Sequence, residues 1–214
     1  MAKVAIVTGN AKGLGKAISE RLSELAYLEP QIIRSKDYDL KNPQQAQRLI
    51  QETIEKYGQL DLLVNNIGTY AAKTIDDLEI NEWQDMVATN LNAAFYLSKY
   101  ALPHLRKSRG SIINIGFAGL ESNIPMPRII AYQSAKAGLL ALTKGLAKAE
   151  AVNQVKINMV SPGTMENSVE HNAMDKIPMG RLAKMSEVVD AVMLLVQSDY
   201  ITGQNIDISG GWGL

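Results

Sequence analysis

Thr8-Gly9-Asn10-Ala11-Lys12-Gly13-Leu14-Gly15 is the stretch on which the fold turns. A short β-branched segment, residues 4–7, runs into it. An amphipathic segment, residues 14–27, leaves it, with Ala17, Ile18, Leu22 and Leu25 as its apolar positions. The order is strand, turn, helix. Glycines at 9, 13 and 15 let the backbone turn tightly and approach a pyrophosphate. The helix that follows offers that anion free N–H groups and the positive end of its dipole. Three glycines alone are a weak signal; between a first strand and a helix they have the context the motif needs.

The same alternation continues outward. Pro30 stops the first helix, and residues 31–38, centred on Ile32-Ile33, form a second strand candidate. Asn42 is an N-cap and Pro43 a first helical residue, for a helix that runs to Tyr57 and stops at Gly58. Residues 60–64 are a strand closed by Asn65-Asn66-Ile67-Gly68. Asn81 caps a long helix over 82–107, bent near Pro103. A strand at 111–115 is followed by a loop over 117–130 and a helix over 131–152. The strand at 155–160 ends in Ser161-Pro162-Gly163. An irregular stretch, 164–180, leads to a helix capped by Ser186 and a last strand at 205–208. The strands are apolar throughout, which fits a sheet covered on both faces. The pattern predicts an α/β, Rossmann-type doubly wound parallel sheet of about six strands, with residues 1–214 as one domain.

Composition narrows the function. Twenty-two basic residues balance 22 acidic ones, which speaks against a nucleic-acid partner or an anionic membrane surface. There is no cysteine, so disulfides, thiolate nucleophiles and cysteine-ligated metals are excluded. No uncharged apolar run approaches the ~20 residues that span a bilayer, and the N-terminus reads as a buried strand, so a soluble cytoplasmic protein is expected. His104 and His171 are the only histidines, and no metal-ligand spacing or Gly-x-Ser-x-Gly elbow occurs. Tyr132 and Lys136 stand four residues apart on a helix, so they share a face. An ammonium beside a phenol favours the phenolate, and a phenol so tuned can exchange a proton with a substrate oxygen.

These motifs together resemble the short-chain dehydrogenase/reductase family, in its 3-oxoacyl-[acyl-carrier-protein] reductase-like branch. Thr8 to Gly15 resembles the family's glycine motif, and Asn65-Asn66-Ile67-Gly68 its Asn-Asn-Ala-Gly. Asn90 falls on the helix asparagine. Tyr132-Gln-Ser-Ala-Lys136 matches Tyr-x-x-x-Lys, and Pro162-Gly163 matches the Pro-Gly that flanks the nicotinamide. The resemblance implies hydride transfer between a nicotinamide and a small-molecule carbonyl or alcohol. Tyr132 would exchange the proton, Lys136 would bind the nicotinamide ribose, and Asn90 would hold a relay water. Gly9, Lys12, Gly13, Leu14, Gly15, Asn66, Ile67, Gly68, Pro162 and Gly163 would contact the cofactor. It further implies a substrate loop over 164–180 and a homodimer or homotetramer.

Two departures qualify the resemblance. Phe117 occupies the place of the family's substrate-orienting serine. Ser122 is the one hydroxyl of that loop that could substitute, and reads equally as a surface serine. His171, in the substrate loop, is a substrate contact or a solvated loop residue. Second, between Gly15 and Asn42 there is room for one strand where the family has two and a helix. Ribose selectivity is read ~20 residues past the glycine motif, which lands on Arg34-Ser35-Lys36. Arg34, Lys36 and Lys12 suit a 2′-phosphate and favour NADP(H) over NAD(H), or else Arg34 and Lys36 are solvated edge charges. The segment also resembles the end of the family's third strand, where Asp39 would contact adenine. The strand is expected beside the first one, leaving an exposed or partner-covered edge. The rival to an oxidoreductase is a cofactor-binding sensor or scaffold with weak or no catalysis. A nucleotide-binding transferase is weaker still, since it has no need of Tyr132 and Lys136.

Overall fold

The structure is a computed structural model that describes residues 3–25, 27–28, 37–122, 124–168 and 174–213. Strand β1 (Lys3–Val7) enters the glycine turn, and α1 (Gly13–Glu24) leaves it. Then follow β2 (Tyr27–Leu28), α2 (Pro43–Tyr57), β3 (Leu62–Asn65), α3 (Ile80–Val87) and α4 (Ala93–Ser108). The chain continues through β4 (Ser111–Ile115), α5 (Ile130–Glu150), β5 (Lys156–Pro162), α6 (Met185–Gln197) and β6 (Asn205–Ile208). The six strands form one parallel sheet in the order β2-β1-β3-β4-β5-β6.

Side chains alternate across each strand, and the two faces fill separate cores. Val4 and Ile6 of β1 pack with Leu49 and Ile50 of α2 and Leu97 and Leu105 of α4. Ala5 and Val7 face the other way, toward Ile18 and Leu22 of α1 and Val188 and Val192 of α6. This is the doubly wound α/β arrangement that the strand–helix alternation predicts.

Local signals explain most boundaries. The Asn42 side chain accepts the Gln44 and Gln45 backbone N–H groups, and Gly58 closes α2 with φ 76°. Several boundaries differ from expectation. Helix α1 stops at Glu24, and Tyr27 turns out to begin an edge strand that pairs with Lys3. The Tyr27 side chain is buried in that strand. The expected strand at 31–38 lies outside the described residues except for 37 and 38, which are not strand; the strand found beside β1 is a different segment, Tyr27–Leu28. The helix expected over 82–107 begins at Ile80. There the Glu82 carboxylate accepts the Glu79 N–H at 3.1 Å and two bonds from Lys73 Nζ at 2.6 and 2.7 Å. It is interrupted at Ala88–Asn92 by a π turn, while Pro103 sits inside α4. Helix α6 likewise starts at Met185, one residue ahead of the expected Ser186 cap, where Glu187 accepts the Lys184 N–H at 2.8 Å.

Helix α5 is tied down at two places. Asn65 Nδ2 donates to Asn114 Oδ1 at 2.8 Å, Asn114 Nδ2 donates to Thr143 Oγ1 at 2.8 Å, and Thr143 donates to the Leu139 carbonyl at 2.7 Å. This relay is buried and links β3 and β4 to the middle of α5. At the helix's end, Arg106 of α4 forks onto Glu150 at 2.6 and 2.8 Å.

Candidate active site

The chain order reverses between β1 and its neighbours β2 and β3, so a crevice opens past the carboxyl ends of β1 and β3. Ligands of open α/β sheets bind at such a switch point. Both lips of the crevice are glycine-bearing turns, and Thr8 stitches them together. Its hydroxyl accepts the Asn66 and Ile67 N–H groups at 2.9 and 3.0 Å, while Asn66 Nδ2 donates to the Thr8 carbonyl at 2.9 Å. Gly9 and Gly13 have φ of 66° and 58°, a region that glycine enters without strain. A Cβ on Gly15 would stand 2.5 Å from the Gly9 carbonyl oxygen and 2.6 Å from Asn66 Nδ2. At the head of α1, Lys12 is the N-cap, makes no side-chain cap bond, and no acidic residue lies in the first turn. The glycine turn and this open helix start therefore fit a dinucleotide pyrophosphate.

Next to the crevice lies a cleft of about 610 Å³. Leu14, Asn66, Pro162 and Gly163 line it together with Tyr132, Phe117 and Trp212. Met165, Asn167 and Ser168 line it too, so the described part of the expected substrate loop does reach it. Tyr132 is partly buried between two rings. Tyr70 stands edge-on to it, with centroids 5.3 Å apart, and Phe117 lies 5.2 Å away at 38°.

Lys136 is buried one helical turn on. Its Nζ donates to the Ile115 carbonyl at 2.6 Å and lies 5.7 Å from the centre of the Tyr132 ring. Asn90 sits in the π turn, where its Nδ2 donates to the Thr69 and Met86 carbonyls at 3.0 and 3.1 Å. Its Oδ1 is buried without a partner. A Cβ on Gly68 would meet that oxygen at 2.6 Å and Lys136 Nζ at 3.5 Å, so Gly68, Asn90 and Lys136 converge on one small space. A water there would satisfy the orphaned oxygen.

The tuning expected of the Tyr132–Lys136 pair is not what the bare site gives. Burial first, and the Tyr70 phenol second, push the Tyr132 hydroxyl above its ordinary range. The ammonium, held by a backbone carbonyl, does not offset this. Burial pushes Lys136 down to about 8. Below that pH the folded protein carries a desolvated charge; the penalty is released as pH rises from about 8 toward the ordinary 10.5. At 1.36 kcal/mol per unit this amounts to roughly 3 kcal/mol. In urea denaturation of the cofactor-free protein, the wild type is expected to gain stability relative to Lys136→Met across that window. Parallel curves for the two proteins would rule this out.

Other residues fall elsewhere. Asp39 is exposed on the loop into α2, with its carboxylate accepting the Lys41 N–H at 3.2 Å. Ser122 lines a separate cavity with Arg181 and Gly213, not the cleft that holds Tyr132. Its proposed substitution for the missing serine therefore has no geometric support. Arg34, Lys36 and His171 lie outside the described residues. No cluster of His, Asp or Glu among the described residues could hold a metal ion, and no described helix is long and apolar enough to cross a membrane. The sequence reading missed Tyr70 and Trp212. Tyr70 carried a usable signal, since it lies two residues past Gly68, at the carboxyl end of a strand on the ligand-binding edge.

Comparison with known proteins covers nearly the whole chain. The family described as enoyl-(acyl carrier protein) reductase matches residues 2–213. The 3-oxoacyl-[acyl-carrier-protein] reductase FabG of Vibrio cholerae is 32% identical, with 98% of this chain and 96% of that protein covered. Their alignment runs over 238 positions against 214 residues here, so gaps fall in this chain. Glucose 1-dehydrogenase 2 of Bacillus subtilis is 30% identical over 99% of this chain and 95% of its own. Among solved structures, ElxO with NADP bound matches with a TM-score of 0.90 and 26% identity, over 99% of both chains. The ligand-free aldohexose dehydrogenase of Thermoplasma acidophilum gives a TM-score of 0.87 and 28% identity, over 99% of this chain and 94% of that one.

Proposed function

The chain belongs to the short-chain dehydrogenase/reductase family, and from that premise we propose that it is an NADP(H)-preferring oxidoreductase that interconverts a small-molecule carbonyl and its alcohol. The observation that carries this reading is one juxtaposition. Tyr132 lines the same cleft as Leu14, Asn66, Pro162 and Gly163, beside a glycine turn shaped for a pyrophosphate.

A bound nicotinamide supplies the hydride. Gly9, Gly13 and Gly15 let the backbone reach the pyrophosphate, Lys12 adds charge at the helix start, and Asn66 to Gly68 form the facing lip. The Tyr132 hydroxyl gives its proton to the carbonyl oxygen on reduction and takes it back on oxidation. Lys136 lies next to it for the ribose hydroxyls, and Asn90 Oδ1 with Gly68 leaves room for a relay water. We further propose that the chain works as one domain in the cytoplasm, as a homodimer or homotetramer. The NADP preference is inferred from Arg34, Lys36 and Lys12, whose cations suit a 2′-phosphate. The sensor reading is the weaker one, because Asn90, Tyr132 and Lys136 are all retained.

Titration with NADPH and with NADH, followed by nucleotide fluorescence, tests this reading. NADPH is expected to bind about tenfold or more tightly, as one charge-assisted phosphate contact warrants. A carbonyl panel should then show NADPH oxidation. Tighter NADH binding removes the cofactor preference, and binding without turnover on the panel favours the sensor.

A further inference from the structure

The cleft that holds Tyr132 and the cavity that holds Ser122 have a single lining residue in common among the described residues, Trp212. We propose that the Trp212 indole is a specificity-determining wall. The substrate's carbonyl sits at Tyr132, an apolar tail runs from it toward the indole, and Trp212 sets how long that tail can be. This rests on the oxidoreductase reading above and names a substrate class for it.

The seating of the wall is the first argument. Trp212 lies in the turn after β6, where its N–H donates to the Ser209 carbonyl at 3.2 Å. The Met179 N–H donates to the Gly210 carbonyl at 3.1 Å, which anchors this tail on the segment that carries Ile177. The indole itself rests on a second loop. A Cβ on Gly119 would stand 2.5 Å from Trp212 Cζ3, so the ring closes down on a residue with no side chain. Gly119 is fixed in turn, with its N–H held by Asp207 at 2.8 Å. The ring is a braced partition.

What stands on each side is the second argument. Ala118, next to Gly119, and Ile177, packed against Gly210, line the cleft at this end. Beyond the indole lies the second cavity, about 430 Å³ against about 610 Å³ for the cleft. A methylene taken from water into such an apolar end is worth about fourfold in affinity. The gain stops where the tail meets the ring. One further methylene must push on an indole braced by two loops, and a rejection of about tenfold is then ordinary.

The test is kinetics with linear 2-alkanones, from 2-butanone to 2-dodecanone, at saturating NADPH. Wild type, Trp212→Ala and Trp212→Phe are compared. In the wild type, kcat/KM is expected to climb about fourfold per methylene and then break off. In Trp212→Ala the break should move out by at least about two carbons. The first chains beyond the wild-type limit should gain at least about tenfold, while 2-butanone changes by less than about threefold. Trp212→Phe keeps a smaller ring on Gly119 and should move the break by about one carbon; it decides the matter if the alanine variant does not fold. A break at the same length in wild type and variants overturns the proposal. So does an equal loss at every length, which is what a merely structural tryptophan gives. A flat or unbroken wild-type profile, or a wild type that reduces other carbonyls but no 2-alkanone, overturns it too. Trp83, the other tryptophan, lies on α3 and is not among the cleft's lining residues. In Trp83→Phe the emission therefore reports Trp212 alone, and 2-hexanone added to the NADP⁺ complex should change it saturably. No saturable change overturns the contact. A wild type that binds NADPH but reduces no carbonyl overturns the oxidoreductase reading. The emission titration needs no turnover, so it separates that failure from a failure of the wall.

Discussion

Tyr132→Phe is expected to lower kcat by about 10²–10⁴, the range that one positioned acid–base group supplies. NADPH affinity should change by less than about threefold, because the ring that touches Tyr70 and Phe117 remains and only the hydroxyl is lost. Burial already holds the Tyr132 proton tightly in the bare site. The pH profile of kcat should therefore lose its Tyr132 limb in Tyr132→Phe. A Tyr132→Phe enzyme with near wild-type kcat would remove the tyrosine from the chemistry.

Gly15→Ala has the second large effect. Alanine normally favours a helix over glycine by about 0.5–1 kcal/mol. Here the new Cβ would stand 2.5 Å from the Gly9 carbonyl oxygen, which is backbone and cannot swing aside. Overpacking of this kind costs about 1–3 kcal/mol, so the steric loss wins. Because the strain falls on the turn that approaches the pyrophosphate, NADPH affinity should drop more than about tenfold. Gly145→Ala is the control. It lies within α5 with no atom within 4 Å of its Cβ, and should raise stability by the ordinary helical increment. Thermal unfolding and fluorescence titration of both variants check this pair. Equal stabilisation by the two substitutions would show that the glycine turn is looser than described.

Much of this was legible before the structure because its causes are local. Asn42-Pro43 carries its own capping chemistry, and the Thr8 to Gly15 turn carries its own conformational demand. What was not legible depends on distant partners. Nothing near Ala88 announces a π turn; Asn90 reaches the Thr69 and Met86 carbonyls only because the lip after β3 folds over it. Ser122 follows Phe117 closely in sequence yet faces another cavity. Between them the chain turns at Gly119, whose φ is 85° and whose N–H is held by Asp207 on β6 at 2.8 Å. The family pattern supplied the place of the absent serine. It could not supply Tyr70, which enters the cleft from a different loop.

The relay from Asn65 through Asn114 to Thr143 acts as a detent on a screw. One residue of slip along a helix is 1.5 Å of travel coupled to a 100° rotation. Such a slip would carry Tyr132 out of its cleft and Lys136 away from the Ile115 carbonyl together. It would also unseat Thr143 from Asn114, leaving buried polar groups unpaired at about 1–3 kcal/mol each. Travel and rotation are thus locked by a single peg near the helix's midpoint, and the Arg106–Glu150 fork clamps its far end. The trimmed edge lies at the opposite margin of the sheet. Sequence can therefore be lost on that margin while the phase of the helix, and with it the aim of both side chains, stays set.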